Sequence, residues 1–162
     1  MELIAGQLIV AEPQGSYHAT ALGAADDALR AVLPSGWFVR AQMPVALGDE
    51  SAPEPDLVIM HGSRIAYREA HPSHPSLVLE VADSSLEFDR FQKGSLYARA
   101  GVPDYWIVNT VDRVLEIYRD PRPDASAPYG WRYNSMRSLA PTDVAVPLAL
   151  PSARIAVSAL LP

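Results

Sequence analysis

Two short, unbroken apolar runs, Leu57-Val58-Ile59-Met60 and Leu77-Val78-Leu79-Glu80-Val81, constrain this chain more than any other feature. A half-buried strand alternates apolar and polar residues, and an amphipathic helix repeats near every 3.6. Runs this short and continuous fit strands buried on both faces of a sheet. Such strands need cover above and below, so the surrounding segments must supply helices. Between the runs, Arg64 to Pro75 is polar and proline-containing and reads as a surface excursion.

The flanks are consistent with that centre. Glu2 to Ile4 and Gln7 to Val10 read as a short hairpin around Ala5-Gly6, ended by Pro13 and Gly15. Ser16 is expected to cap a helix in which Leu22, Ala25, Leu29, Val32 and Leu33 recur at near-helical spacing until Pro34-Ser35-Gly36. A strand is expected from Trp37 to Val45. Ser84-Ser85-Leu86-Glu87 has the Ser-x-x-Glu form of a capping box, opening a helix that Gly101 ends. Asp104 to Asn109, Val114 to Tyr118, Tyr129 to Asn134 and Ala153 to Val157 read as further strands, with one exposed loop from Asp120 to Pro128. The expectation is an α/β fold with a mixed central sheet flanked by helices. At 162 residues and 49% hydrophobic, the chain suits one domain over residues 1–162 and excludes disorder as its main state.

Composition also limits the chemistry. The absence of cysteine removes disulfides, thiol catalysis and thiolate zinc sites, so any metal must sit on carboxylates or imidazoles, which favours hard cations. The sequence has no apolar run long enough to span a membrane and no leader pattern at its start, so a cytoplasmic protein is expected. A net charge of −6 argues against bulk electrostatic coating of nucleic acid and leaves room for a local basic cleft. Of the 13 lysines and arginines only Lys93 is a lysine, which either chance survival under a bias toward arginine or a requirement for a primary amine at that position would account for. Neither a Gly-x-Ser-x-Gly elbow nor a Gly-rich phosphate loop is present.

Asp56 opens one buried run and Glu80 lies inside the other. A carboxylate in an apolar strand costs several kcal/mol unless compensated. Two such groups on neighbouring strands, with a backbone carbonyl and waters, would form the oxygen shell of Mg²⁺ or Mn²⁺; an ion pair with an arginine, or a place at a strand's wet end, would also account for Glu80. Lys93 lies on the following helix, one turn beyond Asp89, where it can either reach the carboxylate pair or form an ordinary i,i+4 pair with Asp89.

The segments Pro53-Glu54-Pro55-Asp56-Leu57, Leu79-Glu80-Val81-Ala82-Asp83-Ser84-Ser85, Asp89-Arg90-Phe91-Gln92-Lys93 and Leu96 to Val108 resemble the Uma2 family, part of the restriction-endonuclease-like PD-(D/E)XK nuclease superfamily. The resemblance extends upstream through Gly6, Gly15-Ser16-x-His18 and Gln42, and downstream to Leu160-Leu161-Pro162. It implies that Asp56, Glu80 and the backbone of Val81 hold Mg²⁺ or Mn²⁺. Ala82 stands where the superfamily usually has its lysine, and the resemblance implies that Lys93 supplies the amine from the helix instead.

His18, Gln42 and Asp89 are candidate supporting residues: His18 to reach the cleft or cap its helix, Gln42 to bond a water or phosphate, Asp89 as a second acid or helix-dipole partner. His71-Pro72-Ser73-His74 is read as a loop without metal, and Tyr97, Tyr105 and Trp106 as core aromatics. The leading expectation is a homodimeric metal-dependent endonuclease acting on DNA, with Arg90 and Arg99 beside the cleft. The alternative is a non-cleaving module of the same fold that binds a nucleic acid or a protein.

Overall fold

A computed structural model describes residues 1–10 and 14–162, so the expected role of Pro13 lies outside the described residues. Six strands form the central sheet in the order β3-β4-β5-β6-β7-β8: β3 (Trp37–Ala41), β4 (Leu57–His61), β5 (Leu77–Ala82), β6 (Asp104–Asn109), β7 (Val114–Pro123) and β8 (Trp131–Leu139). The two apolar runs are β4 and β5, and every residue of β5 is buried. Only β5 and β6 are parallel; the other neighbours are antiparallel. Parallel neighbours need a crossover, here the helical stretch α2 (Leu86–Phe88), a π-helical turn (Asp89–Lys93) and α3 (Gly94–Arg99).

The pleat divides the core into two layers. Leu57, Ile59, Leu77, Leu79 and Val81 face helix α1 (Ser16–Val32), whose Ala21, Ala25 and Leu29 are fully buried against them. Val58, Met60, Val78 and Ala82 face the other way, toward Tyr97 of α3 and Tyr105 of β6. Asp56 and Glu80 follow the alternation of this second set. The N-terminal hairpin, β1 (Glu2–Ile4) and β2 (Gln7–Ile9), turns through Ala5 and Gly6, both at positive φ as a two-residue hairpin turn requires. A bridge from Leu3 to Ala52 docks it beside the segment leading into β4.

Several boundaries differ from expectation for identifiable reasons. Gly15, not Ser16, is the N-cap of α1, and it forms no side-chain cap bond. β3 ends at Ala41 because Gln42 takes φ of 50°, its N–H directed at the carbonyls of Pro55 and Asp56. The capping box does not form: Ser85 is the N-cap, and its hydroxyl donates instead to Asp89. Asp120 to Pro123, expected in a loop, continues β7 and pairs with β8. The strand expected over 153–157 is reduced to β10 (Ile155–Ala156), paired with β9 (Val144–Ala145). Among the described residues no helix is long and apolar enough to cross a membrane.

Candidate active site

The ends of β4 and β5 assemble the site. Antiparallel pairing matches Leu57 with Leu79, so one step further on Asp56 stands opposite Glu80. The two residues are interlocked: the Asp56 N–H donates to Glu80 Oε2 (3.2 Å), and the Val81 N–H donates to Asp56 Oδ2 (2.8 Å). Lys93 reaches them from the π-helical turn, with Nζ 2.9 Å from Glu80 Oε1 and 3.1 Å from Glu2 Oε1. Its distance to Asp89 is 4.0 Å, so the simple i,i+4 pair is the weakest of its three contacts. A π-turn inserts an extra residue into the helical repeat and is frequent at functional sites. Here it carries the only lysine to the carboxylates.

The supporting candidates fall at different depths. His18, near the start of α1, places Nε2 3.4 Å from Asp56 Oδ1, and Gln42 places Nε2 3.5 Å from the same oxygen. Both contacts are long for hydrogen bonds, leaving Oδ1 the least committed oxygen of Asp56. Asp89 is buried and accepts from Ser85 Oγ at 2.6 Å.

Two participants were not anticipated. Glu2 comes from the hairpin, buried, accepting from the Glu54 N–H (2.8 Å) as well as from Lys93. The same signal that marked Glu80, a carboxylate in an apolar strand, was present in Glu2-Leu3-Ile4. Tyr97 is a core aromatic as expected, yet its hydroxyl also donates to Glu80 Oε1 at 2.7 Å. Sequence spacing gave no sign of that bond.

Electrostatics follow from burial and crowding. Burial first, then the neighbouring Asp56, Asp89 and Glu2, push the Glu80 carboxyl up to about 8 against the opposing pull of Lys93. Burial likewise raises Asp89 to about 6, with Lys93 and the Ser85 hydroxyl pulling it back. Burial disfavours the charge on Lys93, but Glu80, Glu2 and Asp89 outweigh it and hold the ammonium well above its ordinary range. The hydrogen bond to Asp56 raises His18, partly offset by burial. Three acids, Glu2, Glu80 and Asp89, thus surround the Lys93 ammonium, with Asp56 against Glu80, and this crowding of oxygen donors, which resists full ionisation on its own, is of the kind hard cations bind.

Other expected features lie elsewhere. Arg90 is committed to Glu116 (2.5 and 3.1 Å) and Glu87 (3.2 Å), so it lines no free basic cleft. Arg99 is exposed and helps line a separate cavity of about 520 Å³ with Glu50 and His74. His71 and His74 are exposed on their loop, and among the described residues no group of three or more His, Asp or Glu side chains is arranged to hold a metal by itself. Any cation here must therefore complete its shell with backbone or solvent oxygen.

The mixed sheet and its helical crossover have the restriction-endonuclease-like α/β fold. The family model for Uma2, described as "Putative restriction endonuclease", matches residues 1–158, and the chain belongs to that family. Among solved structures it resembles a protein from Anabaena variabilis ATCC 29413, described as a putative nuclease belonging to DUF820. The TM-score is 0.73 at 17% identity, over 98% of this chain and 88% of that one. No functionally curated protein matches the sequence.

Proposed function

We propose that this chain is a metal-dependent endonuclease that hydrolyses phosphodiester bonds in DNA, with Asp56, Glu80 and Lys93 as its catalytic residues. The observation that supports it most is the interlock of the Asp56 and Glu80 carboxylates beside the buried Lys93 ammonium, on one face of the sheet. A buried ion pair adds little stability over an apolar core, so its presence here fits a chemical use better than a stabilising one.

The donor set fits Mg²⁺ or Mn²⁺. Asp56 Oδ1 carries only long contacts, and Glu80 Oε2 accepts one bond of 3.2 Å, so both oxygens are open to a cation. Asp56, Glu80 and the carbonyl of Val81 would hold the ion. In an extended strand the N–H and C=O of one residue point to the same side, and the Val81 N–H points at Asp56. Such an ion supplies Lewis acidity toward a phosphoryl oxygen and lowers the pKa of water.

The protein groups divide the remaining work. Lys93, kept charged by three carboxylates, is a hydrogen-bond donor rather than a proton acceptor, and it orients the nucleophile or stabilises charge on the phosphate. Tyr97 and Glu2 fix the ammonium and Glu80 in register, while His18 and Gln42 steady Asp56. Two copies facing one substrate is the assembly expected of such a small acidic protein.

Incubating the protein with supercoiled plasmid, linear duplex and single strands in Mg²⁺ and in Mn²⁺ tests the reading. Cleavage dependent on the ion and abolished in Asp56→Ala is expected. No cleavage of any form, with either ion, would instead favour the binding-module alternative.

A further inference from the structure

One buried cation lies outside this site and has no acid to balance it. Arg40, on β3, is 9% exposed, and among the described residues no carboxylate lies within salt-bridge distance of it. Six other arginines, Arg30, Arg68, Arg90, Arg119, Arg122 and Arg132, each have such a partner. The Arg40 guanidinium makes only two contacts, both 3.4 Å from Nη2, to the Pro44 carbonyl and to His71 Nδ1, and its buried Nε has no partner. The buried Nε–H is thus a donor left without a partner, and such a group calls for an explanation.

A second guanidinium stands beside it. Arg64 extends from the 3-10 turn Arg64–Tyr67 to the Val39 carbonyl, 3.5 Å away and next to Arg40 in the chain. The two cations oppose one another: burial and then the proximity of Arg64 both disfavour the charge on Arg40, with the Tyr67 hydroxyl acting against them. Two arginines near one another with no acid within salt-bridge distance of either, among the described residues, form a local positive spot suited to an anion.

Their position says which anion. Arg40 is registered with Val58, on the face that carries Asp56 two residues along β4, so its backbone is a diagonal same-face neighbour of Asp56, roughly 7–8 Å away. Its guanidinium leans toward Pro44, just beyond Gln42, at the end of β3 that borders that site. A strand with one phosphate at Asp56 and Glu80 would bring a neighbouring phosphate to this pair.

We propose that Arg40, with Arg64 beside it, binds a backbone phosphate of the nucleic-acid strand next to the one held at Asp56 and Glu80. The proposal rests on the nuclease reading for its substrate. The anion site itself does not depend on cleavage.

The test has two arms, both without divalent metal. In the first, melting curves are taken with inorganic phosphate against chloride of matched ionic strength. A rise of roughly 2–5 °C in the wild-type protein is expected once phosphate exceeds its dissociation constant about tenfold, lost in Arg40→Gln and reduced in Arg64→Gln. Arg64 is exposed, so its substitution leaves the core intact should Arg40→Gln fold poorly. In the second arm, anisotropy of a labelled single-stranded oligonucleotide should show affinity falling about tenfold in Arg40→Gln and severalfold in Arg64→Gln. No phosphate shift in the wild type, or the same shift in all three proteins, overturns the proposal. A phosphate shift lost with Arg40 while oligonucleotide affinity stays unchanged also overturns it, since the site would then hold free phosphate only. Both arms as expected without any cleavage in Mg²⁺ would uphold the phosphate site and contradict only the nuclease reading.

Discussion

At the scale of single residues, the site is a problem of compensated burial. Glu80 is tolerable inside β5 because Lys93, Tyr97 and the Asp56 N–H each satisfy part of it. Tyr97→Phe removes one of those donors and should lower stability by about 1–3 kcal/mol in metal-free denaturant unfolding, with little change in far-ultraviolet signal. Lys93→Arg is the sharper probe. A planar, bulkier guanidinium cannot reproduce the compact contacts to Glu80 and Glu2, so strand cleavage should fall on the order of a hundredfold with the fold retained. Equal cleavage rates would reduce Lys93 to a structural ion pair. Glu80 and Lys93 stood out as anomalies in their local pattern, a charge inside an apolar run and a lone lysine among arginines, and Asp56 as the acid that opens the other run. Tyr97 did not, since an aromatic in a buried helix is the ordinary case and only the fold brings its hydroxyl to Glu80.

The elements carry those residues with different degrees of sequence support. Continuous apolar runs located β4 and β5 and the covering helices followed, so the centre of the fold was readable. The π-turn was not, because its extra residue is stabilised by tertiary contacts such as the Tyr105 hydroxyl on the Asp89 carbonyl (2.9 Å) rather than by local propensity. The ribbon of β7 and β8 misled for another reason. Asp120, Pro121 and Pro123 argue against a strand, but β6 ends opposite Arg119, so beyond that point β7 is paired on one side only and an edge tolerates proline. Glu116 joins β7 to the π-turn: burial would raise its carboxyl, but bonds from Arg90, Tyr118 and Asn109 outweigh it and hold it below the ordinary range. A carboxyl depressed by folding contributes stability that is present above its unfolded pKa and lost as pH falls through the folded value. Acid titration of stability should therefore show a loss below about pH 4.5 that is smaller in Glu116→Gln, measured by denaturant midpoints across pH. Identical acid profiles would remove Glu116 from the linkage.

For the whole molecule, the question is how an acidic protein meets a polyanion. Six of the twelve arginines, Arg90 among them, are paired with acids of the chain itself, and carboxylates concentrate at the site. On the proposed reading, affinity for a nucleic acid comes from a few local cations and the divalent ion. Oligonucleotide binding should accordingly weaken with salt by a log–log slope of about −0.7 to −0.9 per phosphate neutralised, and Arg90→Gln should leave that slope unchanged. Salt-indifferent binding would point to a protein partner instead. None of this distribution was visible in net charge, which counts arginines without saying which are already paired.

The measurement that bears most directly on the site is the rate of plasmid nicking in Mg²⁺ by the wild-type protein and by Glu80→Gln, with melting curves confirming that both are folded. The amide keeps the size of the side chain and can still accept from Lys93 and Tyr97, but it lacks the charge that a divalent ion and the ammonium require. A fall of about a hundredfold or more is the expected result. Equal nicking by the two proteins would contradict the assignment of this carboxylate cluster as the catalytic centre.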